Sequence, residues 1–360
     1  MCKFKDVCST STGNKNTQDK IDDGIYPFYV RSQTVERINS WTFDGEAILT
    51  AGDGVGVGKV FHHTYGKIGV HQRVYILSNF KCDANYLFHF FSSNFYNRVK
   101  RMSAKNSVDS VRKEMITEMP LYLPSEQEQT KIGVLLSLLD ERISTQNKII
   151  EDLKKLKCAI IEKVLNNSSC DKLRLGDVGS YIRGLTYSSN DVVECNGTLV
   201  MRSNNIVNGS SLDYTNNVVS VNKQISQEQQ LQDGDIVICM ANGSSALVGK
   251  SSFYDGKCSL PITVGAFCGI YRSKMPITKW LFQTNRYRIY IWNSLQGGNG
   301  AIANLNSEDI LRMSFPLPDK QTVEHCTKLL SSLESLIESN VSLCSMFSQQ
   351  KEYLLRQMFI

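Results

Sequence analysis

"LPSEQEQTKIGVLLSLLDERIS", Leu123 to Ser144, decides how the rest of the chain is read, because its pattern returns as "LPDKQTVEHCTKLLSSLESLIE", Leu317 to Glu338, 194 residues further on. Each stretch opens on Leu-Pro and then a capping residue. Ser125-x-x-Glu128 is a capping box, in which the serine side chain takes a free N–H of the first helical turn and the glutamate reaches back to the cap. Asp319 holds the cap position of the second copy. Apolar residues then follow in alternating steps of four and three. The first copy runs Ile132, Leu136, Leu139, Ile143, Gln146, Ile150, Leu153 and Lys157, and the second Cys326, Leu330, Leu333, Ile337, Asn340, Cys344, Phe347, Lys351 and Leu354. That spacing is an a/d seam, with a polar residue and a lysine at matching places. At about 40 residues each, the helices would be roughly 60 Å long at 1.5 Å per residue. A shared register predicts that they pair with each other. The pairing residues are Ile132, Leu136, Leu139, Ile143, Ile150 and Leu153 against Leu330, Leu333, Ile337, Phe347 and Leu354. A helix packed only on its own domain would show a similar stripe.

The matching extends beyond the helices. "FKDVCSTSTG" aligns with "LGDVGSYIRG", setting Asp6 on Asp177 and Gly13 on Gly184. At the same offset Arg31-Ser32 falls on Arg202-Ser203. Further on, Asp44-Gly45-Glu46 meets Asp233-Gly234-Asp235, and Gly58-Lys59 meets Gly249-Lys250. Two copies of this size are a duplication, since solenoid repeats are far shorter. Runs such as "EAILTAGDG", "QRVYILS", "GDIVICMA" and "GAFCGIYR" read as strands, and "ANYLFHFFSSNFYNRVKRMS" and "KWLFQTNRYRIYIWNSL" as amphipathic helices. The expected fold is α+β: two mixed α/β domains separated by two long antiparallel coiled-coil helices, with internal two-fold pseudo-symmetry. The expected segments are 1–123 and 169–317 for the domains, and 124–168 and 318–360 for the helices. A rotation of about 180° between the halves would require the helices to run antiparallel, with the domains at opposite ends of a rod.

Composition narrows the chemistry. With 360 residues, 41% hydrophobic and 21% charged, the chain has the make-up of a folded protein of two or more domains. A net charge of +5 permits an anionic partner. Eleven cysteines without a C-x-x-C read as reduced, mostly buried small hydrophobes, and no metal site is expected. No signal peptide or apolar run of roughly 18 residues is present, so a cytoplasmic location is expected. "AGDGVGVGK" misses the phosphate-loop pattern: Asp53 stands where a glycine is needed, and Val60 follows Lys59. Its glycines read instead as a tight loop approaching something closely. No Pro-Pro, HExxH or GxSxG segment supplies a catalytic constellation.

Polar and basic residues in the loops of both copies remain. In the first they are Arg31, Gln33, Lys59, His62, His63 and Tyr65, with the cluster Arg98, Lys100, Arg101 and Lys105. In the second they are Arg202, Asn204, Asn205, Asn242, Ser244, Lys250, Arg286, Arg288 and Asn299. Lysine and arginine neutralise phosphates, while Arg, Asn and Gln bond base edges, so the candidate ligand is DNA. Each side chain alone has the plainer reading of a solvated surface group, and Arg31 and Arg202 that of a structural pair.

At this point the chain resembles the specificity subunits of type I restriction–modification systems. The residues that carry the resemblance are "LPSEQEQTKIGVLLSLLDERISTQNKIIEDLKKLKCAIIEKVL" and its counterpart from Leu317, with "KFKDV", "RLGDV", "LQDGDIVI" and the closing "LLRQMFI". The distal copy departs from the pattern at His325, Cys326 and Cys344, which stand where the central copy has Lys131, Ile132 and Ile150. The resemblance implies that each domain is a target-recognition domain reading half of a bipartite site in double-stranded DNA. The paired helices would set the spacing and dock two DNA adenine methyltransferase subunits. Those partners would carry S-adenosylmethionine, and separate restriction/translocase subunits would use ATP and magnesium. The chain itself would be non-catalytic, without a cofactor or a membrane partner. The residues leave two rivals open: a nuclease or the recognition part of a fused restriction–methylation polypeptide, against which the missing acidic cluster argues, and a purely structural coiled-coil scaffold.

Overall fold

A computed structural model describes residues 2–103, 110–166, 171–295 and 303–359. The chain forms two compact units, Met1–Lys148 with Val341–Ile360, and Ile149–Asn340. The central helix, Glu126–Leu165, and the distal helix, Lys320–Met358, each contribute to both.

The first unit is built on a six-stranded sheet in the order Ser9–Thr12, Val74–Ser78, Phe43–Ala51, Phe61–Val70, Tyr26–Tyr29, Val35–Ile38. Only Tyr26–Tyr29 and Phe61–Val70 run parallel, with Tyr29 opposite Val70. Alternation along the strands feeds two apolar layers. Ile48 and Leu77 pack with Phe4, Leu87, Phe91 and Phe95, whereas Ala47, Leu49 and Ile76 pack with Ile68 and Val70. The helix Ala84–Met102 covers the first layer. It is capped by Asp83, whose carboxylate accepts from Tyr86 N at 2.8 Å, and buries Leu87, Phe91, Phe95 and Val99 at near-helical spacing.

The second unit repeats this plan with the sheet divided in two. One sheet runs Gly179–Arg183, Cys268–Ser273, Ile236–Cys239, Ser251–Phe253, and the other Val192–Val193, Val219–Val221, Thr198–Met201, Ile262–Val264. The parallel pairing recurs, with Met201 opposite Val264. Alternation recurs too: Ile236 and Ile238 join the layer containing Trp280 and Phe282, and Val237 and Cys239 the layer containing Val264. The segment read as one helix, "KWLFQTNRYRIYIWNSL", is two, Thr278–Leu281 and Asn285–Leu295. The buried Thr284 hydroxyl accepts from Tyr287 N at 3.2 Å, and that local cap starts a second helix where periodicity alone shows none.

Gly13 and Gly184, aligned by the duplication, have the same task. A Cβ on Gly13 would sit 2.1 Å from Val70 O, and one on Gly184 2.2 Å from Gly265 O. Each lets a segment cross a neighbouring strand end at backbone contact. The glycine loop likewise approaches its own unit, since a Cβ on Gly56 would lie 2.4 Å from Arg31 O, and Gly58, at φ 65°, packs on Tyr96.

Both caps form as expected. Ser125 Oγ accepts from Glu128 N at 3.4 Å and Glu128 Oε2 from Ser125 N at 3.0 Å, and Asp319 Oδ1 accepts from Thr322 N at 3.0 Å. Within the first unit Asp140 pairs with Lys351, and Cys344 Sγ donates to Asn147 Oδ1 at 3.4 Å. Residue numbers rise on one helix as they fall on the other, so the pairing there is antiparallel. Arg142 lies over the Phe347 ring at 5.6 Å. Within the second unit Lys157 Nζ meets Glu334 Oε1 at 3.4 Å. Lys157 and Lys351 are the matched lysines of the seam, and Asp140 and Glu334 also correspond, so one ion pair is duplicated. Leu136, Leu139, Ile150, Leu330 and Leu333 are buried, and Ile132, Ile143, Leu153, Ile337, Phe347 and Leu354 are half-buried. The stripe also serves the local cores: Ile132 packs with the first, and Cys326 and Leu330 belong to the second.

His89 lies beside Asp140, its Nδ1 3.8 Å from Oδ2 and its Nε2 3.3 Å from Ser137 Oγ. Burial, with the Lys351 charge behind it, takes the imidazole down to about 4. The unfolded chain, with histidine near 6.5, therefore binds more protons below that pH, and stability falls as pH drops from about 6.5 towards 4. The expected slope is about 1 kcal/mol per pH unit. Urea titrations of the wild type and His89→Gln from pH 7 to 4.5 check this, and an unchanged slope in the variant would refute it.

Of the cysteines, Cys8, Cys239, Cys268 and Cys326 are buried, but Cys158 and Cys195 are exposed. The buried-hydrophobe reading therefore applies to the first four, which sit in the cores, and not to the two on a helix surface and a loop. No helix among the described residues is long and apolar enough to cross a membrane.

Candidate nucleic-acid interface

In both units some of the candidate residues lie on loops that gather where the parallel strands end. His62, His63 and Tyr65 lie instead on the strand Phe61–Val70, and Arg98, Lys100, Arg101, Arg286 and Arg288 on helices. In the first unit Arg31 follows Tyr26–Tyr29, and the glycine loop follows Phe43–Ala51. The turn His71–Arg73 joins Phe61–Val70 to Val74–Ser78. Asp53 ties these segments together: its carboxylate accepts from Arg31 Nη1 at 2.9 Å and lies 3.7 Å from Arg73 Nε. His71 beneath them is buried, and Arg73 N donates to its Nδ1 at 3.0 Å. Burial, then the charge of Arg31, hold this imidazole below the ordinary histidine range, so it stays neutral and cancels none of the arginine charge's partner. Asp53 and Arg73 were not among the sequence candidates. The available signal was that both stand at loop positions inside the repeated frame.

The other candidates of the first unit divide sharply. Gln33, Lys59 and Tyr65 are exposed, Tyr65 to 82%, and Lys59 Nζ stands 5.4 Å from the Tyr96 ring centre. His62 Nε2 bonds to Ser32 O at 3.2 Å and its ring meets Tyr29, while burial lowers its pKa. His63 bonds to Glu46 Oε1 at 3.0 Å and stacks on Phe88. Arg98 is structural: its Nε donates to Met115 O at 2.7 Å and its Nη2 to Glu118 O at 2.8 Å, joining two helices of the unit. Lys100 and Arg101, in the last turn of the same helix, are exposed. Lys105 lies outside the described residues.

In the second unit the corresponding loops border a cleft of about 560 Å³, lined by Tyr187, Arg202, Ser203, Asn242, Gly265 and Phe267 among others. Asn242 Nδ2 donates to Ser203 Oγ at 3.2 Å, and its Oδ1 accepts from Ser244 N at 3.0 Å. Arg202 Nη2 donates to Asn217 O at 3.0 Å, while its buried Nε–H has no acceptor among the described residues. Phe267 is 68% exposed at the rim. Neither Phe267 nor Tyr187 was a sequence candidate, because lone aromatics give no signal of exposure. Asn205 is fully buried and donates to Asp213 O and Asn216 O, which makes it a loop brace. Asn204, Ser244 and Arg288 are exposed, and Lys250 is half-buried. Arg286 Nε donates to Asn166 Oδ1 at 3.4 Å. A second cleft of about 620 Å³ borders Lys250, Arg288, Ile291 and Trp292. Asn299 lies outside the described residues. Among those described, no group of three His, Cys, Asp or Glu residues is placed to hold a metal ion.

This arrangement offers exposed cations, amides and aromatics on braced loops, which suits binding to phosphates and base edges. Residues 1–155 match the family described as type I restriction modification DNA specificity domain. The chain is 28% identical over 165 residues to the type I restriction enzyme EcoDI specificity subunit of Escherichia coli, a match covering 45% of this chain and 36% of that protein. The EcoKI specificity subunit of Escherichia coli strain K12 is also 28% identical, over 171 residues, covering 45% of this chain and 35% of the relative. The matched stretch thus spans about a third of each relative. The type I restriction-modification S subunit of M. genitalium shares the fold, with a TM-score of 0.72 and 14% identity over 99% of this chain and 95% of that one. A structure from work on complex assembly of the type I system aligns at TM-score 0.50 and 13% identity, covering 99% and 96%. Residues 1–155 thus carry a match to the type I restriction modification DNA specificity domain, and the chain as a whole shares the fold of a type I S subunit.

Proposed function

We propose that this chain supplies the DNA address of a type I restriction–modification complex and performs no chemistry itself. The observation that carries the reading is the repeated loop frame. Two units of one plan present different side chains at equivalent places, as two readers of unlike half-sites would. Each unit acts as a target-recognition domain for one half of a bipartite site in double-stranded DNA. The helix pair sets the gap between the halves and docks two DNA adenine methyltransferase subunits. S-adenosylmethionine belongs to those partners, and ATP and magnesium to restriction/translocase subunits. The relatives' names support the reading, and so do the loops carrying Arg31, Lys59 and Asn242 and the exposed Arg288 on the helix Asn285–Leu295.

Expression of the chain with type I methyltransferase subunits is expected to create adenine methylation at one bipartite sequence, read by methylation-sensitive genome sequencing. Omission of the chain should abolish it. Purified chain alone, given DNA, magnesium and S-adenosylmethionine, should neither methylate nor cleave; turnover without partners would overturn the proposal.

A further inference from the structure

We infer that the two units select different base pairs at the corresponding place of their half-sites: the first a G·C pair through Arg31, Arg73 and Asp53, the second an A·T pair through Asn242 and Phe267. The inference rests on the DNA-reading function proposed above and assigns the chemistry each unit selects.

One backbone feature makes the positions comparable. Gly52 N donates to Arg73 O at 2.7 Å, and Ala241 N donates to Phe267 O at 3.1 Å. The next residues, Asp53 and Asn242, therefore occupy one place in the frame, and Arg73 and Phe267 another. In the sequence, the spacing that sets Asp44 on Asp233 also sets Asp53 on Asn242, and the 194-residue spacing of the long helices sets Arg73 on Phe267. A second shared feature fixes the turn: His71 N donates to Tyr29 O, and Gly265 N to Met201 O.

The side chains on this common frame have opposite chemistry. In the first unit the Asp53 carboxylate holds two guanidinium groups, whose side chains remain 45% exposed at Arg31 and 65% at Arg73. An arginine fork matches the O6 and N7 acceptors of guanine, and a carboxylate accepts from the cytosine amino group. Asp53 presents both chemistries together and, by pairing, limits the rotamers that the arginines lose on binding. In the second unit the carboxylate is replaced by an amide and the second arginine by a phenyl ring. The Asn242 amide donates to Ser203 Oγ and faces the Cys239 thiol, and its Oδ1 accepts from Ser244 N. Its remaining Oδ1 lone pair suits adenine N6, and an N–H turned from the weakly accepting thiol suits N7. Phe267 stands beside it, exposed, at the rim of an apolar cleft that suits the thymine methyl group. Arg202 is drawn back to Asn217 O, so no arginine fork stands beside Asn242 as Arg31 stands beside Asp53.

The test is selection from a random double-stranded DNA library by the full chain assembled with its methyltransferase subunits. The wild type is expected to enrich a bipartite site with a fixed G·C pair in one half and a fixed A·T pair in the other. Phe267→Ala should relax discrimination at the A·T position roughly tenfold and leave the other half unchanged, and Arg73→Ala should do the converse. Joint Asn242→Asp and Phe267→Arg should move the preference of that position towards G·C. Phe267 and Arg73 are exposed, so thermal midpoints near wild type are expected for the two alanine variants. A bipartite site that Phe267→Ala and Arg73→Ala leave unaltered would overturn the inference while sparing the proposed function. Failure of the wild type to enrich any sequence would overturn both.

Discussion

Glu334→Leu is expected to lower the unfolding free energy by about 3–5 kcal/mol, because it strands a buried lysine. Glu334 accepts from Trp280 Nε1 at 2.9 Å and pairs with Lys279 at 2.6 Å and Lys157 at 3.4 Å. The side chains of both Lys157 and Glu334 are only 9% exposed. Burial already pushes the Lys157 ammonium down, against the pull of Glu334. Without that carboxylate, Lys157 keeps the carbonyl of Gly209, at 2.8 Å, as its remaining partner in the unit. Leucine fills similar volume, so the loss isolates charge and hydrogen bonding. Adding Lys157→Met should recover most of it, since an apolar pair of the same shape replaces a buried ion pair at little net change. The duplicated pair supplies the control. Asp140 is 39% exposed, so water screens its pairing with Lys351, and Asp140→Ala should cost under about 1 kcal/mol. Urea denaturation of the four proteins measures these differences. A loss below 1 kcal/mol for Glu334→Leu alone would show that the buried lysine is hydrated and that the pairing is incidental.

Phe91→Ala is expected to cost a similar 3–5 kcal/mol, here by cavity formation. Phe91 is fully buried on the helix Ala84–Met102 and meets three rings: Phe95 at 4.5 Å, Phe4 at 5.3 Å and Phe61 edge-on at 5.4 Å. Tilted and edge-to-face contacts of this kind add to the transfer term. Phe4 comes from the N-terminal segment, Phe61 from the sheet and Phe95 from the helix itself, so one ring links three parts of the unit. The effect should be concentrated there. Amide exchange in the Phe43–Ala51 and Phe61–Val70 strands is expected to accelerate strongly in the variant, with the Ile236–Cys239 strand much less affected. Equal acceleration in all three would show that the units unfold as one cooperative body.

The architecture was largely legible in the chain because its signals are local. The caps at Ser125 and Asp319 depend on residues three positions apart, and the seam depends on helical periodicity. Duplication gave each signal twice. The interruption at Thr284 was not legible, since it turns on one hydroxyl choosing a local backbone partner inside an otherwise helical pattern. The candidate interface was legible only in part. Composition located its loops but could not separate Arg98 and Asn205, which brace backbone carbonyls, from Lys59 and Arg288, which face solvent.

By itself, then, the sequence determined that the chain is a doubled α+β protein with two long helices in one register, polar at matching steps. Periodicity, capping and repetition are all read along the chain, and they fixed the order of the parts. Only the tertiary structure decided which carboxylate receives each seam lysine, and which residues stand together at the ends of the parallel strands. Asp53 with Arg31 and Arg73, and Asn242 with Phe267, are neighbours because strand register and backbone hydrogen bonds bring separate loops to one place. That proximity arises from pairing over long sequence distances, which no local pattern encodes.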